Sequence, residues 1–459
     1  MYKQLPRKLA TLVILIALLA MAIPLGFACA GASRPEAAFS ADPTSGTFPL
    51  EVQFTNQSMG EITDWEWDFD NDGTVDSTEQ NPSYTYETAG TYTVSLKVVG
   101  PGGSDTETKV DYVHETLIIM IGHLTDLTGA AALSLVPITY ALEDLVRYIN
   151  EEDPIVGVEL RVVTFDTKYD PARFIPGYEW CKGKGAQVIF ASIPAIGETL
   201  KSFAAADWLP VVNVYATVPE IEPPGWVFCL NSPACYQAKT LLKWISEQWD
   251  YEGFARKPKV GFVGWDMSYD MEMKEGAKEY CLGHQDNFDW VGSFLVPAGT
   301  MVWAGEVQML KDCDYICLSS IGIAAATFMN EFRVRGYAAT FIGMDALAAY
   351  QNLLLDYCGW EALDGTLTAY PMLYIGGLQQ VDFLFDILRA AVEGVGAENF
   401  DGQAFYDAAT GFTATYEGYP EWGFTETKRY SVDHLVIYEW SAEAEDLVRI
   451  SDWLPIVID

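Results

Sequence analysis

From Thr116 onward, short apolar runs bounded by polar and glycine residues alternate with longer segments of helical period. That alternation restricts the larger part of the chain to an α/β fold with parallel sheets. It begins with Thr116–Gly129, where the uninterrupted apolar run Leu117–Ile121 has the character of a strand buried on both faces. Gly122 to Gly129 then reads as a polar loop, and Ala131 to Ile149 as a helix. Strand, loop and helix open a doubly wound domain, in which ligands sit at the carboxyl ends of the strands. Taken alone, the same stretch is equally an ordinary βα unit without a ligand.

Further strands are expected at Val158–Phe165, Gln187–Ala191, Leu209–Val214, Lys259–Gly264, Phe288–Phe294, Tyr315–Leu318 and Thr340–Ile342. Helices are expected between them, at Phe174–Lys182, Glu198–Ala206, Tyr236–Trp249, Glu272–Leu282, Met301–Lys311 and Ala325–Arg335. The roughly 340 residues of this succession exceed one ordinary core, which implies two lobes.

The formal net charge of −37 excludes nucleic-acid or anionic-membrane binding through general electrostatics. At the N-terminus Lys3, Arg7 and Lys8 precede an apolar run from Leu9 to Phe27, then Ala28-Cys29-Ala30, so residues 1–30 read as an export signal. Gly26-Phe27-Ala28-Cys29 resembles a bacterial lipobox, which would place a lipid on Cys29, although Gly26 stands where Leu is usual. Ala28-Cys29-Ala30 also fits ordinary signal cleavage, and the plainer alternative is an uncleaved transmembrane anchor, against which Pro24 near the end of the run speaks. Either way the folded part is exported, as a cell-surface or periplasmic protein. Export permits disulfides, with Cys229 and Cys235 the most plausible pair. Cys313 and Cys317 read as core thiols on one face of a strand.

Residues 31–36 form a small, polar spacer, and 37–114 read as all-β, with alternation at Glu51–Thr55, Asp64–Phe69, Ser83–Tyr86 and Thr91–Val98. Asp64-Trp65-Glu66-Trp67-Asp68-Phe69, Asn81-Pro82-Ser83-Tyr84-Thr85-Tyr86 and Ala89-Gly90-Thr91-Tyr92-Thr93-Val94 resemble a PKD domain, an immunoglobulin-like sandwich. The resemblance implies a spacer or adhesion module without catalysis. Within it, Asp68, Asp70, Asp72, Asp76 and Glu79, with Gly73, follow the oxygen spacing of an EF-hand loop. The flanks are strands, so the alternatives are a calcium site of another kind or an exposed acidic turn.

Several later segments, in order, resemble the leucine/isoleucine/valine-binding family of extracytoplasmic solute receptors, the type I periplasmic-binding fold. They are His123–Gly129, Tyr148-Ile149-Asn150 with Gly157–Leu160, Thr164–Pro171, Leu209–Thr217, Lys259–Val263 and Ile450–Trp453. The resemblance covers Thr116 to the C-terminus, 116–459. It implies lobe one at about 116–237 and 346–425, and lobe two at about 238–345 and 426–459. It also implies a solute trapped between the lobes, most plausibly an amino acid or a related amide or carboxylate, and delivery to the permease and ATPase of an ABC importer. The resemblance places Ser192, Ala195, Tyr215 and Thr217 where a ligand carboxylate is held, Asp345 where an ammonium is met, and Tyr269 over the ligand from lobe two. Ser320 falls at the mouth of the cleft, and Thr128 and Gly129 frame it from lobe one. Tyr215 is bulkier than is usual there, and Asp345 is one methylene shorter than the usual glutamate. Both departures point away from strict leucine-like specificity.

Each residue also has a plainer role. Thr217 could start a turn before Pro219, Asp345 could cap a helix over Ala346–Leu355, and His123 could be a satisfied loop histidine or a pH-sensitive group in the cleft. With four histidines and no nucleophile, metal-spaced or phosphate-binding motif around them, enzymatic chemistry is not expected, and no cofactor beyond calcium is implied. A sensory receptor with the same cleft, or a surface adhesion protein led by the PKD module, are the other readings.

Overall fold

The computed structural model describes residues 33–458 apart from 89, 153, 154, 156, 319–321, 345, 346, 349, 371–375 and 416–421. Cys29, Ser320 and Asp345 lie outside the described residues. Among the described residues, no helix is long and apolar enough to cross a membrane. The chain divides into two compact units at Glu115/Thr116.

The first unit is a sandwich. Its three-stranded sheet holds Phe39–Asp42, Leu50–Asn56 and Ser83–Tyr86; its four-stranded sheet holds Ser45–Gly46, Gly103–Glu115, Thr91–Gly100 and Asp64–Asp68. In Leu50–Asn56 the residues Leu50, Val52 and Phe54 are buried while Glu51, Gln53 and Thr55 are exposed, as a half-buried strand requires. Phe39, Phe54, Trp67 and Phe69 fill the space between the sheets. Two of the buried aromatics have satisfied polar ends, Trp67 Nε1 donating to Glu79 O at 2.9 Å and Tyr86 OH to Phe69 O at 3.0 Å.

In the second unit the expected opening strand runs longer, over Leu117–Thr125, because the residues after Gly122 are buried as well. His123 is therefore a strand residue and not a loop residue. The strand lies inside a five-stranded sheet ordered 227–229, 211–213, 186–191, 117–125, 158–166, all parallel. In chain order that is 2-1-3-4-5, whose topological switch point lies between Leu117–Thr125 and Ala186–Ala191. Gly122 is required there: a Cβ at this position would lie 2.6 Å from Cys181 Cβ and 2.8 Å from Ile189 Cδ1.

The other lobe repeats the order with Lys259–Trp265, Asp289–Val296, Tyr315–Leu318, Thr340–Gly343 and Leu367–Tyr370, then adds antiparallel His434–Ser441 and Asp446–Arg449. The lobe boundaries differ from the expectation. Leu367–Tyr370 pairs with Thr340–Gly343, so the chain returns to lobe one only after Tyr370, where Gly376–Val395 packs near Ala132–Glu152. Residues 350–370 thus belong with lobe two. The strand LTAY is too short to announce itself by periodicity. Helix Ala234–Gln248 packs on Ser268–Gly283, so lobe two also begins earlier.

Two connecting segments run side by side: Cys229 N donates to Arg429 O at 2.7 Å, and Ser431 N to Cys229 O at 3.0 Å. The Arg429 guanidinium, 2% exposed, locks this region by donating to Gly225 O, Thr425 O and Tyr406 OH.

The expected Cys229–Cys235 disulfide is absent: both are free thiols, as are the other described cysteines. Each is already accommodated, Cys229 against Val214 O and Cys235 by a hydrogen bond to Glu272. Cys313 and Cys317 are indeed buried thiols, but on opposite faces of the sheet, because Cys313 sits in the turn before the strand, where alternation does not apply.

Candidate functional site

Parallel strands end together, so each lobe presents a crevice at its switch point, and here the two crevices face one another. Between them lies a cavity of about 40 Å³. From lobe one it is lined by Ala131, Ser134, Leu135, Tyr169, Ser192, Pro194 and Tyr215, and from lobe two by Met267, Tyr269 and Tyr350. The volume is far below the roughly 300 Å³ at which small-molecule pockets begin. A solute enters only if the lobes part or the rings turn. No charged side chain lines the cavity among the described residues; the polar groups are two serine hydroxyls and four phenols.

Ser192 is the first residue past strand Ala186–Ala191, and its N–H donates to Leu124 O at 3.1 Å, fastening the two switch-point strands at their ends. Its Oγ lies 2.8 Å from Nε2 of the fully buried His123. Burial pulls the imidazole pKa down to about 3, so the ring is neutral.

The next turn is built on a buried carboxylate that the sequence reading passed over. Glu220, with no exposed surface, accepts from Ala195 N at 2.5 Å, Thr217 N at 3.0 Å and Thr217 Oγ1 at 3.1 Å through one oxygen, and from Asn213 Nδ2 at 3.0 Å through the other. Burial pushes its pKa up to about 7 against the pull of those donors. Ala195 takes φ +73°, a left-handed conformation that an alanine adopts only under constraint. Thr217 heads the short helix Val218–Ile221. The groups expected to hold a ligand carboxylate at Ala195 and Thr217 are therefore engaged by a carboxylate of the chain itself. The spacing Thr217-Val218-Pro219-Glu220 is that of a capping box and is the signal that would have found Glu220.

Thr128 and Gly129 are likewise brought near but not into the cavity. Thr128 Oγ1 donates to Asp166 Oδ2 at 2.6 Å, and the N–H groups of Thr128, Gly129 and Ala131 all donate to buried Asp126. Burial opposes ionisation of Asp166, but bonds from Thr128, Leu127 and Lys168 hold its carboxyl below the usual range. These two aspartates shape the turn that starts the helix Ala132–Glu152.

Tyr215 and Tyr269 do meet, edge to face, with centroids 5.3 Å apart and planes at 82°. Further lobe-to-lobe contacts flank them: Ser268 Oγ donates to Pro194 O at 3.1 Å and shares a side-chain hydrogen bond with Tyr169, and Val218 N donates to Glu272 Oε1 at 3.0 Å. Tyr169 and Tyr350 were missed as lining residues. Tyr169 follows Lys168, both with φ +57°, and this paired left-handed turn delivers the ring to the cavity. Nothing in the local pattern marks Tyr350.

In the first unit the oxygens of Asp68, Asp70 and Asp76 come within 4.8 Å of one another, an all-oxygen set of the kind calcium takes. Burial, with the charges of Asp72, Asp76 and Asp68, pushes the Asp70 carboxyl up, against a hydrogen bond from Asp72 N. Asp72 and Glu79 are not in this group; Asp72 Oδ1 accepts from Thr74 N at 2.7 Å.

Residues 118–380 match the family described as periplasmic binding protein, and 32–114 match the PKD domain. The fold is similar to that of a branched chain amino acid ABC transporter from Thermus thermophilus with bound valine, at a TM-score of 0.64 and 16% identity over 74% of this chain and 96% of that one. It is similar also to an ABC transporter substrate-binding protein from Aeropyrum pernix (TM-score 0.62, 15% identity, 74% and 96% covered). A third likeness is to an R. palustris solute binding protein in complex with benzoate (TM-score 0.62, 14% identity, 75% and 98% covered). At such identities these likenesses speak for the fold. The family match spans more than half of the sequence, and the chain belongs to the periplasmic binding protein family, with a PKD domain ahead of its two-lobed receptor.

Proposed function

We propose that the protein is an extracytoplasmic receptor that closes on a small carboxylate-bearing solute, an amino acid or a relative of one, and hands it to an ABC importer. The observation that carries this reading is the cavity at the facing switch points, where the Ser192 hydroxyl stands among four tyrosines. Hydroxyl and phenol groups suit a ligand carboxylate, and the rings suit an apolar or aromatic body. The valine and benzoate named with two of the similar structures are ligands of that kind. An ammonium partner would come from Asp345, which lies outside the described residues. A thermal-shift screen of amino acids, amides and small carboxylates tests the reading. A rise in melting temperature that Ser192→Ala abolishes is expected. If every solute fails and Asp345→Ala changes nothing, the amino-acid assignment falls.

We propose further that Cys29 carries a lipid that holds the receptor at the membrane. Cys29→Ser is expected to move the protein from the membrane fraction to the soluble one; an unchanged distribution removes the anchor. In the PKD unit the three clustered carboxylates support calcium binding. Millimolar calcium is expected to raise its melting temperature, and an unshifted transition leaves an acidic turn held by backbone N–H groups alone.

A further inference from the structure

The pair His123–Ser192 has one free choice, the position of the imidazole proton, and the surroundings decide it. Nε2 faces Ser192 Oγ at 2.8 Å, while Nδ1 is buried without a hydrogen-bond partner. The ring packs on Phe190, with centroids 5.2 Å apart, in the interior of the sheet. If the proton were on Nδ1, a buried N–H donor would be left with nothing to bond, and orphaned N–H groups are rarer in native interiors than under-used acceptors. With the proton on Nε2, the ring donates to Ser192 and only a lone pair at Nδ1 goes unused. The doubly protonated ring would bury a charge as well as an orphan donor.

We infer that His123 sets the polarity of the cleft: its Nε2–H donates to Ser192 Oγ, so the Ser192 hydroxyl turns its own hydrogen into the cavity and selects a ligand that presents an oxygen acceptor, a carboxylate or carbonyl. The opposite tautomer would take the serine proton and leave Oγ as an acceptor, selecting an ammonium or amide donor. It would also leave a bare nitrogen against the hydroxyl, the arrangement of a general base beside a nucleophile. Nε2 carrying the proton is therefore what keeps this pair a recognition device. Because the register sets Phe190 beside His123 and Ala191 beside Leu124, Ser192 follows directly onto the pair, and the polarity is built into the two switch-point strands.

The inference rests on reading the cavity as the ligand site, and its test separates the two. In protein labelled with ¹⁵N-histidine, long-range ¹H–¹⁵N correlation identifies the protonated nitrogen of each ring, with the His123 signals assigned by their loss in His123→Gln. Protonation at Nε2, unchanged between about pH 5 and pH 8, is expected for a ring so buried; protonation at Nδ1, or at both, overturns the inference. The second arm uses isobutyrate against isobutylamine and benzoate against benzylamine, measured by calorimetry. The wild type is expected to prefer each acid. His123→Phe is expected to cut that preference about 10-fold, the loss of one oriented hydrogen bond to a charged group. His123→Gln, which keeps an N–H donor, is expected to retain more of it. An unchanged preference in His123→Phe overturns the inference. Should none of these probes bind, the NMR result still decides the proton, and the failure belongs to the ligand reading.

Discussion

Glu220 turns its carboxylate back onto Thr217, meeting the backbone N–H at 3.0 Å and the hydroxyl at 3.1 Å, and so takes up the two groups that a ligand carboxylate would otherwise use there. The folded pKa of about 7 stands above the ordinary 4.5. Between those values the folded state keeps a proton that the unfolded chain has lost, so stability falls as pH rises through this window. At 1.36 kcal/mol per unit the fall is on the order of 3 kcal/mol, complete near neutral pH. Urea unfolding across pH 4–8 reads it directly. Glu220→Gln is expected to flatten this component of the profile, and Glu220→Ala to destabilise at every pH by about 3 kcal/mol because buried donors lose their acceptor.

The Ser268–Pro194 hydrogen bond joins the lobes beside the cavity, so it stabilises the closed form alone. Ser268→Ala, which also loses the side-chain hydrogen bond to Tyr169, is expected to weaken ligand binding about 5- to 30-fold, the worth of one to two ordinary hydrogen bonds. The change should appear in the dissociation rate, measured by stopped flow. An unchanged rate would mean the contact survives opening or contributes nothing.

Tyr269 stands edge-on to Tyr215 across the cleft, where on the proposed reading it would limit the ligand's bulk. Tyr269→Ala is expected to weaken the best small ligand by about 10-fold, through lost ring contact. The same variant should improve binding of longer homologues that wild type rejects. A homologous carboxylate series in calorimetry checks it, and uniform weakening across the series would assign the ring a packing role only.

Arg429 holds the paired connecting segments through three acceptors and stacks over Phe228 and Tyr406 at 5.1 and 5.2 Å. Arg429→Ala strands those acceptors and opens a cavity, at a cost of about 2–4 kcal/mol. Calorimetry should show the loss in the transition of the second unit, where Arg429 and its three acceptors lie.

Much of this was legible beforehand. The strands Ser83–Tyr86 and Tyr315–Leu318 have the expected bounds, because β alternation and short apolar runs are local properties. Ser192, Tyr215 and Tyr269 line one cavity. Glu220 was signalled by its spacing from Thr217 yet passed over, since acidic residues are seldom fully buried unless paired. The place of 350–370 in lobe two escaped because a four-residue strand carries too few positions to show a period.

The sequence by itself determined the division into an all-β module and a βα receptor, since hydrophobic period and turn residues act over a few positions at a time. It also determined which loops lie at strand ends, where any ligand must be. Only the tertiary structure decided which of those loop groups remain available. Asp126 consumes the amides of Thr128 and Gly129, Glu220 consumes Ala195 and Thr217, and His123 leaves Ser192 directed at the cleft. Hydrogen-bond partners far apart in the chain settle that competition. A donor's availability is a property of everything packed around it, which no local pattern records.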